Sequence, residues 1–210
     1  MRFIFKIKDQ ALKKDFASVF CAAVQLLFMG AAVTALFLVF LWDASGSKPF
    51  TEKAPTEIAQ SIVLAASAFL YFRKARQTPL LRKALVLVGG LLGCMLIREQ
   101  DYFLDLICHG FWKWPAFFLA FACIAYAMRT PADTLASLSL LTRKRGFPTL
   151  LTGLTVVLVY SRIFGTTLLW KTLIPYGDWR IAKYAVEESS ELLGYLLILL
   201  SIMLLRNDNK

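Results

Sequence analysis

Apolar residues fall along this chain in long blocks, separated by short polar and charged connections. Six blocks read as helices, over residues 16–42, 56–72, 82–105, 114–128, 148–170 and 183–205. Crossing a hydrocarbon core of ~30 Å takes ~20 helical residues. Barrel strands would instead alternate polar and apolar positions over ~10 residues, and these blocks are too continuous for that. The pattern predicts an all-α polytopic membrane protein, a bundle of six transmembrane helices forming a single domain over residues 1–210. The first block follows Lys13 and Lys14, as the core of a signal peptide would. It exceeds the ~7–15 residues of such a core and ends in no small-x-small site, so it reads as a retained span.

Composition strengthens the membrane reading. The 210 residues are 58% hydrophobic and 18% charged, with a mean hydropathy of +0.61, whereas a soluble domain has roughly 45–50% apolar and 25% charged residues. A disordered chain, a collagen-like repeat and a disulfide-stapled module are excluded. The cysteines Cys21, Cys94, Cys108 and Cys123 show no CxxC spacing and read as small buried hydrophobes.

The net charge of +10 raises the question of nucleic acid. Its lysines and arginines, however, sit in blocks between the apolar runs, where they orient a chain in a bilayer; a nucleic-acid partner is not expected. Sixteen of them fall on one side of the six-span scheme and seven on the other. Both termini are therefore expected in the cytoplasm and the protein in the plasma (inner) membrane. All five tryptophans, Trp42, Trp112, Trp114, Trp170 and Trp179, lie at the outer ends of the spans, at headgroup level. Gly89, Gly90, Gly93 and Gly194 mark close helix contacts. The connection over 130–147 opens on Thr130-Pro131-Ala132-Asp133, a helix-capping pattern.

Ten of the fourteen carboxylates lie toward the outer side. Ionisable groups inside spans cost at least ~2.5–3.5 kcal/mol and so tend to face a bundle interior or wet cavity. At about 100° per residue, Arg98, Asp101, Tyr102, Asp105 and His109 share one helical face, with Glu99 on its flank. The sixth span answers with Glu187, Glu188 and Glu191 at the same depth, Gly194 and Tyr195 following. Arg162 joins from the fifth span, and Glu57, Gln60 and Ser61 from the second. Crowded carboxylates need cations to balance them. Arg98 and Arg162 do not suffice for the six of the third and sixth spans, which leaves a metal, protons or a cationic substrate.

Three function classes follow. The leading one is a metal-assisted hydrolase or transferase acting on a lipid or lipid-linked substrate. In it Asp105, His109, Glu187 and Glu191 hold a divalent ion such as Zn, Mn or Fe, and Glu99, Asp101 and Glu188 serve as acid and base, while Arg98 or Arg162 binds an anionic headgroup. The donor set resembles that of intramembrane metal hydrolases of the ceramidase and adiponectin-receptor type, which use several histidines where this chain has one. The second class is an accessory subunit whose polar network is structural, bound to a membrane-protein partner. A proton- or cation-coupled transporter is the third. The chain has no Gly-x-Ser-x-Gly, phosphate-binding glycine loop or His-Glu-x-x-His.

Overall fold

The computed structural model describes residues 55–205 together with scattered positions between 16 and 45. The chain forms two compact units, Met1–Leu38 and Val39–Lys210. In the first, the described residues from 16 onward are helical, as are residues 39–42 in the second; the other residues of the expected first span, Cys21 among them, lie outside the described residues. No strand occurs among the described residues of either unit.

The second unit contains α1 (Pro55–Gln77), α2 (Arg82–Glu99), the single turn α3 (Asp101–Leu104), α4 (Lys113–Met128) and α5 (Pro131–Thr142). Then come α6 (Gly146–Phe164), α7 (Thr167–Leu173) and α8 (Trp179–Leu204). Two Thr-Pro junctions punctuate it. A proline disfavours helical geometry in the residue before it, and Thr78 (φ −125°, ψ 87°) and Thr130 (φ −139°, ψ 87°) are both extended. The first junction starts the 3-10 turn Pro79–Leu81, and the second bends α4 against α5 by 102°. Thr130 does not cap α5 as its pattern suggests: its hydroxyl goes to Asp133 Oδ2 at 2.6 Å, and Lys83 Nζ donates to its carbonyl at 2.9 Å.

Among the described residues, two helices are long and apolar enough to cross a membrane, Pro79–Glu99 and Gly146–Phe164; the bent α4–α5 pair would make a third. Helices α1 and α8 are longer, at 23 and 26 residues. The first two turns of α1 hold Glu57, Gln60 and Ser61, and the first half of α8 holds Glu187, Glu188 and Glu191, which lowers their apolar character.

Two expected spans end early. The third span does not run straight to Asp105, because α2 ends at Glu99 and Gln100 leaves helical geometry (φ −98°, ψ 18°). Polar residues follow, so the freed backbone groups can be hydrated and nothing obliges the helix to continue. The fifth does not reach Trp170: α6 ends at Phe164 and α7 is a separate helix. The fourth ends at Met128, but its 16 residues are short for a crossing without α5.

Helix α2 packs between α1 and α4, α1 also packs on α8, and α8 on α6. Leu64, Tyr71, Leu85, Leu92 and Ile198 fill the centre with no measurable exposure. By contrast Phe117, Phe118 and Phe121 on the far face of α4 are each at least 70% exposed. Each leaves roughly 1.5–3 kcal/mol of burial unused in water, and contact with lipid removes that deficit. Of the cysteines, Cys123 is buried against Gly90 and Cys94 is half-buried, but Cys108 is exposed in the turn after α3 and corrects the expectation for that residue.

The α6–α8 crossing depends on two glycines. A Cβ at Gly153 would lie 2.8 Å from the Gly194 carbonyl oxygen and 3.0 Å from the Ile198 backbone nitrogen. Those are main-chain atoms, which cannot rotate away. Gly153→Ala should therefore lose stability by about 1–2 kcal/mol, since overpacking at 1–3 kcal/mol outweighs the ~1 kcal/mol gained in helix propensity. Thermal unfolding in detergent checks this; a rise in melting temperature would refute the close crossing.

Candidate functional site

The antiparallel run of α1 and α2 places the start of one beside the end of the other. Helices α6 and α8 repeat the arrangement, so Glu57, Arg98, Arg162 and Glu187 all come to one end of the bundle. There they line an open pocket of ≈660 Å³. Six carboxylates face it, Glu57, Glu99, Asp101, Glu187, Glu188 and Glu191, against three cations, Arg98, Arg162 and Lys183. Ile58, Ile62 and Phe103 give its rim an apolar side.

A departure from helical regularity sets one of these residues. Within α6, Val156–Tyr160 forms a π turn, an insertion of one residue relative to an α-helix. It turns the segment that follows, bringing Ser161 and Arg162 onto α8. Arg162 contacts Glu191 through Nη2 and Glu187 Oε1 at 3.3 Å through Nη1. Lys183 Nζ approaches the second oxygen of Glu187 at 3.4 Å. Gly165 makes room for this cluster, since a Cβ there would come within 2.7 Å of Glu187 Oε1. Ser161 lies 3.4 Å from Glu191 Oε1, but its proton is committed to the Val157 carbonyl at 2.6 Å.

The opposite wall is differently built. Arg98 pairs with its neighbour Glu99 through Nη2, and the Tyr195 hydroxyl donates to the same oxygen, Oε1, at 3.0 Å. Gln100 Nε2 donates to Ser61 Oγ at 2.7 Å, tying the end of α2 to the start of α1. Among the described residues no cation pairs with Glu188. The Gln60 amide holds it, donating to Glu188 Oε2 at 2.7 Å and to the Glu188 backbone carbonyl at 3.0 Å. Gln60 is itself 1% exposed, so it fixes Glu188 from inside the bundle.

No family model, curated protein or solved structure matches this chain. The reading of the site therefore rests on its own chemistry.

The pocket collects Arg98, Glu99, Asp101, Arg162, Glu187, Glu188 and Glu191 from the residues that the sequence singles out. Asp105 and His109 are not among its lining. They form a local turn, with Asp105 Oδ1 accepting from the Gly110 amide at 2.9 Å and Oδ2 lying 3.1 Å from His109 Nδ1. Gly110, at φ +80°, reverses the chain there. The metal set of Asp105, His109, Glu187 and Glu191 is accordingly not assembled, because α2 stops before it can carry the first two along its face. Among the described residues no group of three or more His, Cys, Asp or Glu is arranged to hold a metal ion. Lys183 is a pocket residue that charge counting places only at the edge of the sixth span. Its i, i+4 spacing to Glu187 is the signal that points to it.

Below the pocket the interior turns apolar, through Leu92, Leu64, Ile198 and Leu85. The neutral Tyr71–Ser201 hydrogen bond, 2.6 Å, lies among them.

Proposed function

We propose that the chain is a multi-pass membrane protein with six spans, both termini cytoplasmic, and that its acidic pocket at the outer leaflet performs acid–base chemistry on a lipid or lipid-linked substrate. The observation that carries this is the unlike treatment of two carboxylates one turn apart. Glu191 is tied to Arg162, whereas Glu188 is held by a neutral amide. Two carboxyl groups in one pocket with different partners can divide proton donation and acceptance between them. Glu188 is the group that exchanges a proton with substrate, while Glu191 and Arg162 hold charge and geometry. Ile58, Ile62 and Phe103 suit the apolar part of an amphiphile, and Arg98 and Lys183 suit a polar headgroup. No step is assigned to a metal, since the expected ligands do not meet.

The test is lipid turnover. Protein reconstituted into vesicles of a total membrane lipid extract should deplete one lipid or lipid-linked species, followed by mass spectrometry. A lipid profile unchanged by active, folded protein under varied headgroup composition would reject an enzyme of this class.

An accessory subunit is the second reading, favoured by one observation. No buried side-chain nitrogen or oxygen among the described residues lacks a partner, as a purely structural network would also require. A transporter gains no support from the apolar interior below the pocket.

Orientation is tested separately. With Cys108 replaced by serine, a cysteine at the fully exposed Tyr176 should react with an impermeant thiol reagent in intact cells, and one at Arg143 should not. Reversed labelling would overturn the topology.

A further inference from the structure

A second cavity lies at the other end of the bundle. It has a volume of ≈420 Å³ and is lined by Phe72, Ala75 and Arg76 at the end of α1, Arg82 and Val86 at the start of α2, and Tyr126 near the end of α4. Nineteen residues of α1 separate Glu57 from Arg76, or ~28 Å of helix. That is close to the ~30 Å thickness of a hydrocarbon core. In a bilayer crossed by this bundle the acidic and basic cavities would stand at opposite headgroup levels.

The chemistry of the second cavity is two-sided. Arg76 and Arg82 are both exposed. Among the described residues no hydrogen bond or ion pair engages Arg76, and Arg82 spends only its Nε, on the Ala75 carbonyl at 3.3 Å. Their Nη groups remain available as forked donors, the geometry that binds phosphate in pairs of hydrogen bonds. No carboxylate lines the cavity. Phe72 and Val86 supply an apolar wall, and the Tyr126 hydroxyl, with no partner among the described residues, sits beside it. Helix α2 separates α1 from α4, so the cavity continues the groove between two helices flanking a third. Lys74 and Lys144 lie within electrostatic range of each other at the same end.

We infer that this cavity is a binding site for one anionic phospholipid, its phosphate held between Arg76 and Arg82 and its acyl chains lying along the groove over α2. Basic pockets between membrane helices are the general form of such sites. A free phosphate would use the two arginines but leave the apolar wall without a role. The inference is independent of the acidic pocket and of any reaction there.

Native mass spectrometry tests it, on protein extracted in mild detergent from vesicles of equal parts phosphatidylglycerol and phosphatidylcholine. One phosphatidylglycerol should be retained in preference to phosphatidylcholine. In the double variant Arg76→Gln/Arg82→Gln its apparent affinity should fall by about 10- to 30-fold, from the loss of two basic contacts. Arg143→Gln/Arg145→Gln, which removes two exposed charges outside the cavity, should retain it. Arg76→Gln alone, at a residue with no partner to lose, should show an intermediate loss and serves if the double variant does not fold. Equal retention of both lipids would overturn the site, as would an undiminished signal in the folded cavity variants or an equal loss in the Arg143/Arg145 variant. Complete displacement of the lipid by millimolar inorganic phosphate would show that the cavity takes the free ion instead.

Discussion

Glu188→Gln is expected to reduce turnover of the lipid substrate by about 10²–10⁴-fold while leaving the protein as stable as its parent or slightly more so. The range is that of a lost general acid or base. Stability is spared for two reasons. The new amide keeps an oxygen that can accept from Gln60 Nε2, a bond of 2.7 Å in the parent. It also removes one negative charge from a pocket where six carboxylates face three cations, relieving repulsion. Turnover in vesicles and thermal unfolding in detergent, run on the same preparation, provide the two readouts. Activity retained at parental level would remove Glu188 from the chemistry. A large loss of stability would mean that its charge has a structural partner, the outcome that the accessory-subunit reading predicts.

The second large effect concerns Arg162, and it is asymmetric. Glu191 is 4% exposed, whereas the Arg162 side chain is 46% exposed. Removing the arginine therefore leaves a buried carboxylate with little solvent, while removing the glutamate leaves a guanidinium that water and Glu187 can still serve. Breaking a buried pair costs ~3–5 kcal/mol when the remaining charge has no compensation. Arg98 is within electrostatic range of Glu191 and offsets part of that, so Arg162→Met should cost on the order of 3 kcal/mol. Glu191→Gln should cost well below half as much. The double variant should recover most of the loss, because no stranded charge remains. Denaturant or thermal unfolding of the three proteins decides it, and equal costs for the two single variants would contradict the burial asymmetry.

How far the site was legible in the sequence depended on how straight each helix proved to be. Glu188 and Glu191 sit within α8, which is continuous for 26 residues, so counting residues from its far end placed them at the depth of Arg98 and Glu99. Gln60 and Tyr195 could be noticed from their spacing, although which carboxylate each would hold depends on packing between helices. Asp105 and His109 fall outside the pocket because the face that would carry them requires α2 to continue past Gln100, and a polar run at a headgroup boundary carries no signal of that kind. The crossing glycines were readable as small residues in apolar runs. What they adjoin was not, since Gly194 meets Gly153 from a different helix. The short helices α3 and α7 were absorbed into longer apolar blocks, because periodicity alone does not register a break at an interface.

The π turn at Val156–Tyr160 makes the segment's length matter more than its side chains. Leu158, Val159 and Tyr160 are exposed, and other apolar residues could replace them with little effect on the interior. Ordinary helical winding of the same number of residues would swing everything beyond it by about 100°. Arg162 would then leave Glu187 and Glu191, with no residue of the pocket itself having changed. This stretch should accept exchange of residues freely over evolutionary time, and a relative that lacks the π turn should carry one residue fewer between the positions of Gly153 and Arg162. The spacing between the crossing and the charge, rather than any motif, is the feature by which a distant relative of this chain could be recognised.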